Sequence, residues 1–71
     1  MEKPGERIRR MRREAGLTQR ELGRRVGVCK QQIMRYEVDG VENMRVRRLV
    51  AICRELGCTA DELLAGWDEE R

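Results

Sequence analysis

Histidine is absent from this chain of 71 residues, and with it the commonest general base and metal ligand. No nucleophile stands one helical turn from a base, and no Gly-rich phosphate loop is present, so an enzyme is not expected. Cysteine is sparse: Cys29, Cys53 and Cys58 form no metal spacing, which predicts neither metal nor cofactor. Their odd number, beside an N-terminal MEKPGERIRR without a hydrophobic signal region, predicts reduced thiols in a cytoplasm. Long apolar runs are also missing. The longest, Leu49 to Cys53, falls far short of the roughly 20 residues of a membrane span. Aromatics make up 3% of the chain and charged residues 41%, a balance that in an unpatterned sequence means disorder. Here the apolar residues recur at helical spacing in several blocks, which predicts an all-α mini-domain with a charged skin. One domain covers residues 1–71, and a chain of this size buries only about 60–65% of its unfolded surface.

Pro4 and Gly5 punctuate the start, and Ile8, Met11 and Ala15 share one face of a helix that runs to Ala15 with Gly16 behind it. Arg7, Arg9, Arg10 and Arg13 are assigned to its solvated side. Arg12 lies next to the buried stripe, where a charge needs a partner. Thr18 and Glu21 make a capping box, Leu22 and Val26 share the next buried face, and Gly27 stops that helix. Cys29 is the N-cap of a third helix, with Gln32 completing a weaker box. Ile33 and Tyr36 face inward, leaving Lys30, Gln31, Met34 and Arg35 outward. The connection VDGVEN turns at Gly40, and Asn43 is the expected cap of a fourth helix over about Met44 to Leu56. Val46, Leu49, Val50, Ile52, Cys53 and Leu56 are its apolar positions, and Gly57 ends it. A second capping box, Thr59 with Glu62, opens a short fifth helix carrying Leu63, Leu64 and Trp67, and residues 66–71 form a short acidic tail.

Two short helices around a tight turn, the second opening on amide and basic side chains, describe a helix–turn–helix. That motif presents a helix N-terminus to the DNA major groove. Charge distribution agrees. Residues 1–35 carry eleven Lys/Arg against four Glu, and residues 36–71 five Arg against nine Asp/Glu. A basic half favours a polyanion through counterion release. Lys30, Gln31, Gln32 and Met34 are the candidates for base contacts, Gln31 because a Gln amide bonds adenine N6 and N7 together. Met34 would pack on a thymine methyl. Leu63, Leu64 and Trp67 are candidates either for core closure or for a dimer seam.

The runs GLTQRELGRRVGVCKQQIMRYE and LVAICRELGCTADELL resemble the Xre/Cro-type helix–turn–helix domain of phage repressors and small bacterial regulators, over about residues 5–65. The resemblance implies five helices around one core, sequence-specific binding of double-stranded DNA, commonly as a homodimer, and no enzymatic activity. It also implies that Gln19 braces the recognition helix and touches a phosphate. Lys30, Gln31 and Gln32 would read bases, and Arg12 would pair with Glu37 across the core. Arg20, Arg35, Asn43 and Arg45 join Gln19 as phosphate candidates. Two departures stand out. Cys29 replaces the usual Ser or Thr cap, and the loop after Glu37 is one residue longer, with Asp39 and Glu42 where basic residues often approach phosphate. The expected function is a transcriptional repressor on a pseudo-palindromic operator. Alternatives are an autoregulating antitoxin, whose acidic C-terminal half would meet a protein partner, or an interaction module that has left DNA behind.

Overall fold

Backbone capping sets the element boundaries in the computed structural model, which describes residues 2–66. Thr18 Oγ1 accepts from the Glu21 N–H at 3.0 Å while Glu21 returns a carboxylate oxygen to the Thr18 N–H at 2.9 Å. Thr59 and Glu62 do the same at 3.1 and 3.0 Å. Each box satisfies two N–H groups that an open helix end leaves without partners. Five helices result: α1 Pro4–Glu14, α2 Gln19–Val26, α3 Lys30–Asp39, α4 Val46–Leu56 and α5 Ala60–Leu63. No strand occurs among the described residues, and none of their helices is long and apolar enough to cross a membrane.

Two glycines make the α2–α3 turn possible. Gly27 caps α2 at φ +83, a left-handed conformation that a side chain disfavours. Gly23, inside α2, lies so close to the following turn that a Cβ there would stand 2.6 Å from the Val28 carbonyl oxygen. With that contact α2 and α3 pack directly on one another. Ile8, Leu22, Ile33, Ile52 and Leu63, one from each helix, are fully buried, and Leu17, Val26, Tyr36, Val41 and Cys53 close around them. Each fully buried Leu or Ile contributes about 1.5–3 kcal/mol.

Several expectations are corrected. Arg7 is no part of a solvated face. It is 8% exposed, and its Nη1 donates to the carbonyls of Leu63 at 2.7 Å and Ala65 at 3.0 Å. Its other nitrogens hold Glu2, so Arg7 fastens the end of α5 to α1. Asn43 does not cap α4. A turn with the Met44 N–H on the Val41 carbonyl at 3.0 Å uses two further residues, and Arg45 takes the N-cap without a side-chain bond. Val46 and Val50 lie outside the core, 76% and 40% exposed, because the first turn of α4 meets α2 through Arg48, which donates to the Val26 carbonyl, and not through these valines. Val41, in the connecting loop, is buried instead. Cys29 is the N-cap of α3, yet its side chain makes no cap bond and Gln32 completes no box. The Gln32 N–H bonds the Cys29 carbonyl only. Leu63 is fully buried and closes the core, so it is not available as a dimer seam; Leu64 is half-buried, and Trp67 lies outside the described residues.

Candidate nucleic-acid interface

The turn that brings α3 across α2 leaves the first two turns of α3 on the surface. Lys30, Gln31, Met34 and Arg35 are exposed there, behind the exposed cap residue Cys29, while Gln32 is half-buried on one flank. Ile33 and Tyr36 anchor the opposite face in the core. The outward side chains are therefore fixed in direction by the inward ones.

Shallow depressions run along both flanks of this end of α3. One is bordered by Arg9, Arg12, Arg13, Thr18, Gln19, Arg20 and Lys30, so it joins α1 to the starts of α2 and α3. The other is bordered by Val28, Cys29, Gln32, Tyr36, Asn43, Arg45, Arg47 and Arg48. Arg9, Arg13, Arg20, Lys30, Arg35, Arg45 and Arg47 form no ion pair among the described residues. At the far end of α3 the sign reverses, for a third depression is bordered by Glu6, Asp39 and Glu42 against the single cation Lys3, beside the Glu37 that Arg12 neutralises. A polyanion meets an attractive field at the N-terminal end of α3 and a repulsive one at the other.

Behind the surface, a buried polar cluster holds three helices together. Arg12 Nε donates to Glu37 Oε2 at 2.7 Å, and Nη2 approaches Oε1 at 3.4 Å. Arg12 Nη1 donates to the Leu17 carbonyl at 2.8 Å, and Gln19 Nε2 donates to Glu37 Oε1 at 3.0 Å. The Arg12 and Glu37 side chains are 9% and 3% exposed. Among the described residues, no buried side-chain nitrogen or oxygen lacks a partner. The cluster fixes the first residue of α2 and the third turn of α3 relative to α1, so Gln19 and Lys30 keep one spacing.

Two carboxyls on the surface are shifted. The Thr18 backbone N–H, followed by its hydroxyl, holds the Glu21 carboxyl below the ordinary value of 4.5. Arg10 does the same for Glu2. Burial, with help from Cys58, pushes the Cys53 thiol up to about 11, so that thiol is inert near neutral pH. No cluster of His, Cys, Asp or Glu among the described residues could hold a metal.

Most of the expected contact residues border this one face: Lys30, Gln31, Met34 and Arg35 on α3, Gln19 and Arg20 at the start of α2, and Gln32, Asn43 and Arg45 on the second flank. Sequence reasoning missed Arg47 and Arg48. Arg48 Nη1 donates to the Val26 carbonyl at 2.7 Å, a cation at the C-terminal end of α2 where the helix dipole favours one. The signal was available, since Arg48 is one turn before the buried Ile52. Arg7 carried the same sign, one residue before Ile8 at the edge of the stripe.

The family described as the Cro/C1-type HTH DNA-binding domain matches residues 7–66. The P22 c2 repressor protein, in its crystal structure with synthetic operator 9T in the presence of Tl+, is similar in fold and in sequence. The TM-score is 0.84 and the identity 33%, over 93% of this chain and 98% of that one. No curated protein matches the sequence at a comparable level.

Proposed function

Because the chain belongs to the Cro/C1-type helix–turn–helix DNA-binding domain family, we propose that it is a repressor-like regulator that reads double-stranded DNA with the N-terminal half of α3. Families of this kind regulate by binding and are not enzymes. The observation that carries the reading is the pair of cationic depressions flanking an exposed run of amide and basic side chains, on a fold shared with an operator-bound repressor.

In this mechanism α3 enters the major groove end-on. Gln31 is the principal reader, since its amide offers a donor and an acceptor to adenine N6 and N7. Lys30 reaches guanine or a phosphate, and Met34 packs against a thymine methyl. Gln32, half-buried beside Asn43 and Arg45, touches the base at the edge of the site. Gln19, Arg20, Arg35, Asn43 and Arg45 hold the backbone and set the register. Gln19 does so with one N–H of its amide nitrogen while the other N–H is donated to Glu37, which couples phosphate grip to the position of α3. The protein works as a homodimer on a pseudo-palindrome with half-sites about 34 Å apart, and repression follows from occluding the promoter.

Selection from a pool of random duplexes, followed by salt titration of wild type and Gln31→Ala, tests this. The expected result is a palindromic consensus, affinity that falls steeply with salt, and loss of preference at one base pair per half-site in the variant. The loss should be about 1–3 kcal/mol. Binding without consensus, unchanged by the substitution, would sink the groove-reading mechanism and turn attention to a protein partner on the acidic end.

A further inference from the structure

The arginines of α1 divide into two groups. On one flank, Arg10 is held by Glu2 at 2.8 Å and by Glu14 at 3.1 Å, and Arg7 is spent on Glu2 and two carbonyls. On the other flank, the side chains of Arg9 and Arg13 are exposed and take part in no hydrogen bond or ion pair among the described residues, and Glu6, one turn before Arg9, is bonded to the Lys3 N–H instead. Their flank faces the depression shared with Arg20 and Lys30, with Arg12 at its floor. Arg12 is neutralised by Glu37, but Arg9, Arg13, Arg20 and Lys30 border the same concavity with no ion pair among the described residues and no carboxylate on its rim. Gathering like charge without neutralisation raises self-repulsion, which a polyanion relieves.

We propose that Arg9 and Arg13 are DNA-backbone ligands, and that the phosphate-binding surface extends from the helix–turn–helix onto α1. This rests on the reading of α3 as the groove-facing helix. Arg9 and Arg13 are one helical turn apart, which places their side chains on one face about 5–6 Å from one another. Phosphates along a strand recur every 3.4 Å of helix axis, so two long, flexible side chains rooted about 5–6 Å apart reach phosphates one or two steps from each other on a single strand. Lys30 borders the same concavity, so the strand they hold is the one bounding the groove that α3 enters. The contact carries no base information; it adds grip and register.

The test is the dependence of affinity on salt for the selected duplex. Each phosphate neutralised contributes about 0.9 to the slope of log affinity against log salt. Arg9→Gln and Arg13→Gln should each flatten the slope by about 0.9 per bound protomer, and the double variant by about 1.8, with the consensus unchanged. Arg9→Lys with Arg13→Lys should restore it. Arg10→Gln, which removes the same charge from the other flank of the same helix, should leave the slope as in wild type. If the Arg9 and Arg13 variants change the slope no more than Arg10→Gln does, the two residues act only through net charge and the proposal is overturned. That outcome leaves groove reading intact as long as wild type keeps its consensus. If wild type binds no duplex, both proposals fall.

Discussion

Toward its C-terminal end α3 holds Glu37 almost entirely out of water, bonded by Arg12 and Gln19 from two other helices. Toward its N-terminal end the same helix presents Lys30, Gln31 and Arg35 to solvent with no ion pair among the described residues. Composition does not separate the two halves, since both use long polar side chains. Partnering does. Charges buried with every bond satisfied hold the geometry of the domain, and charges left open on a rigid support are available for something outside it.

The contrast breaks most sharply at the buried end. Arg12→Met leaves Glu37 desolvated and without its cation, which should cost about 3–5 kcal/mol in denaturant unfolding, a large share of what a domain this small has. Adding Glu37→Leu should recover most of that loss, because the orphaned charge is removed with its partner. Next comes Gly23→Ala. Alanine normally favours a helix interior by about 0.5–1 kcal/mol over glycine. Here the added Cβ would meet the Val28 carbonyl at 2.6 Å, so a net loss of about 1–3 kcal/mol is expected, with weaker DNA binding as α3 is pushed from α2.

At the exposed end the effects on stability shrink and change sign. Cys29→Ser supplies the missing side-chain acceptor at the start of α3 and should raise stability by about 0.5–1 kcal/mol in the same assay. Lys30→Gln should leave stability within about 0.5 kcal/mol while lowering DNA affinity, separating the two functions of the helix. The smallest effect concerns pH. The Glu21 carboxyl is depressed in the folded state, so its contribution is complete above 4.5 and is lost as pH falls through the lower folded value. Thermal melts across that range should show a shallower acid decline for Glu21→Gln than for wild type.

Local chemistry was readable from the sequence, and long-range placement was not. Thr18 with Glu21, Thr59 with Glu62, and Gly27 announce their roles within four residues, because capping is a contact between near neighbours. Arg12 announced a need for a partner, and Glu37 was named for it only through the family resemblance; the pair is 25 residues apart in sequence. Helical spacing marks the edge of a stripe without saying what lands on it, so it places Arg7 in solvent, whereas the end of α5 lands there. Val46 and Val50 fit the apolar period of α4 but stand outside the core, since periodicity marks a face without saying which of its residues a neighbouring helix covers. Val41 escaped notice for the opposite reason: a loop residue has no period. Of the candidate site, the α3 residues were legible from one helix alone, whereas the unpaired flank of α1 emerges only once Glu2 and Glu14 are seen to serve Arg7 and Arg10, and Glu6 the Lys3 N–H.

The three thiols give the experimenter an unplanned convenience. Cys53 is buried and its thiolate scarce, Cys58 is half-buried, and Cys29 sits exposed at the cap of α3. A brief treatment with a maleimide dye should therefore mark Cys29 first, planting an optical reporter beside Lys30 and Gln31 without any engineered cysteine. Prior addition of a duplex that covers this end of α3 should slow the labelling, so the rate of one covalent reaction becomes a footprint of the reading head.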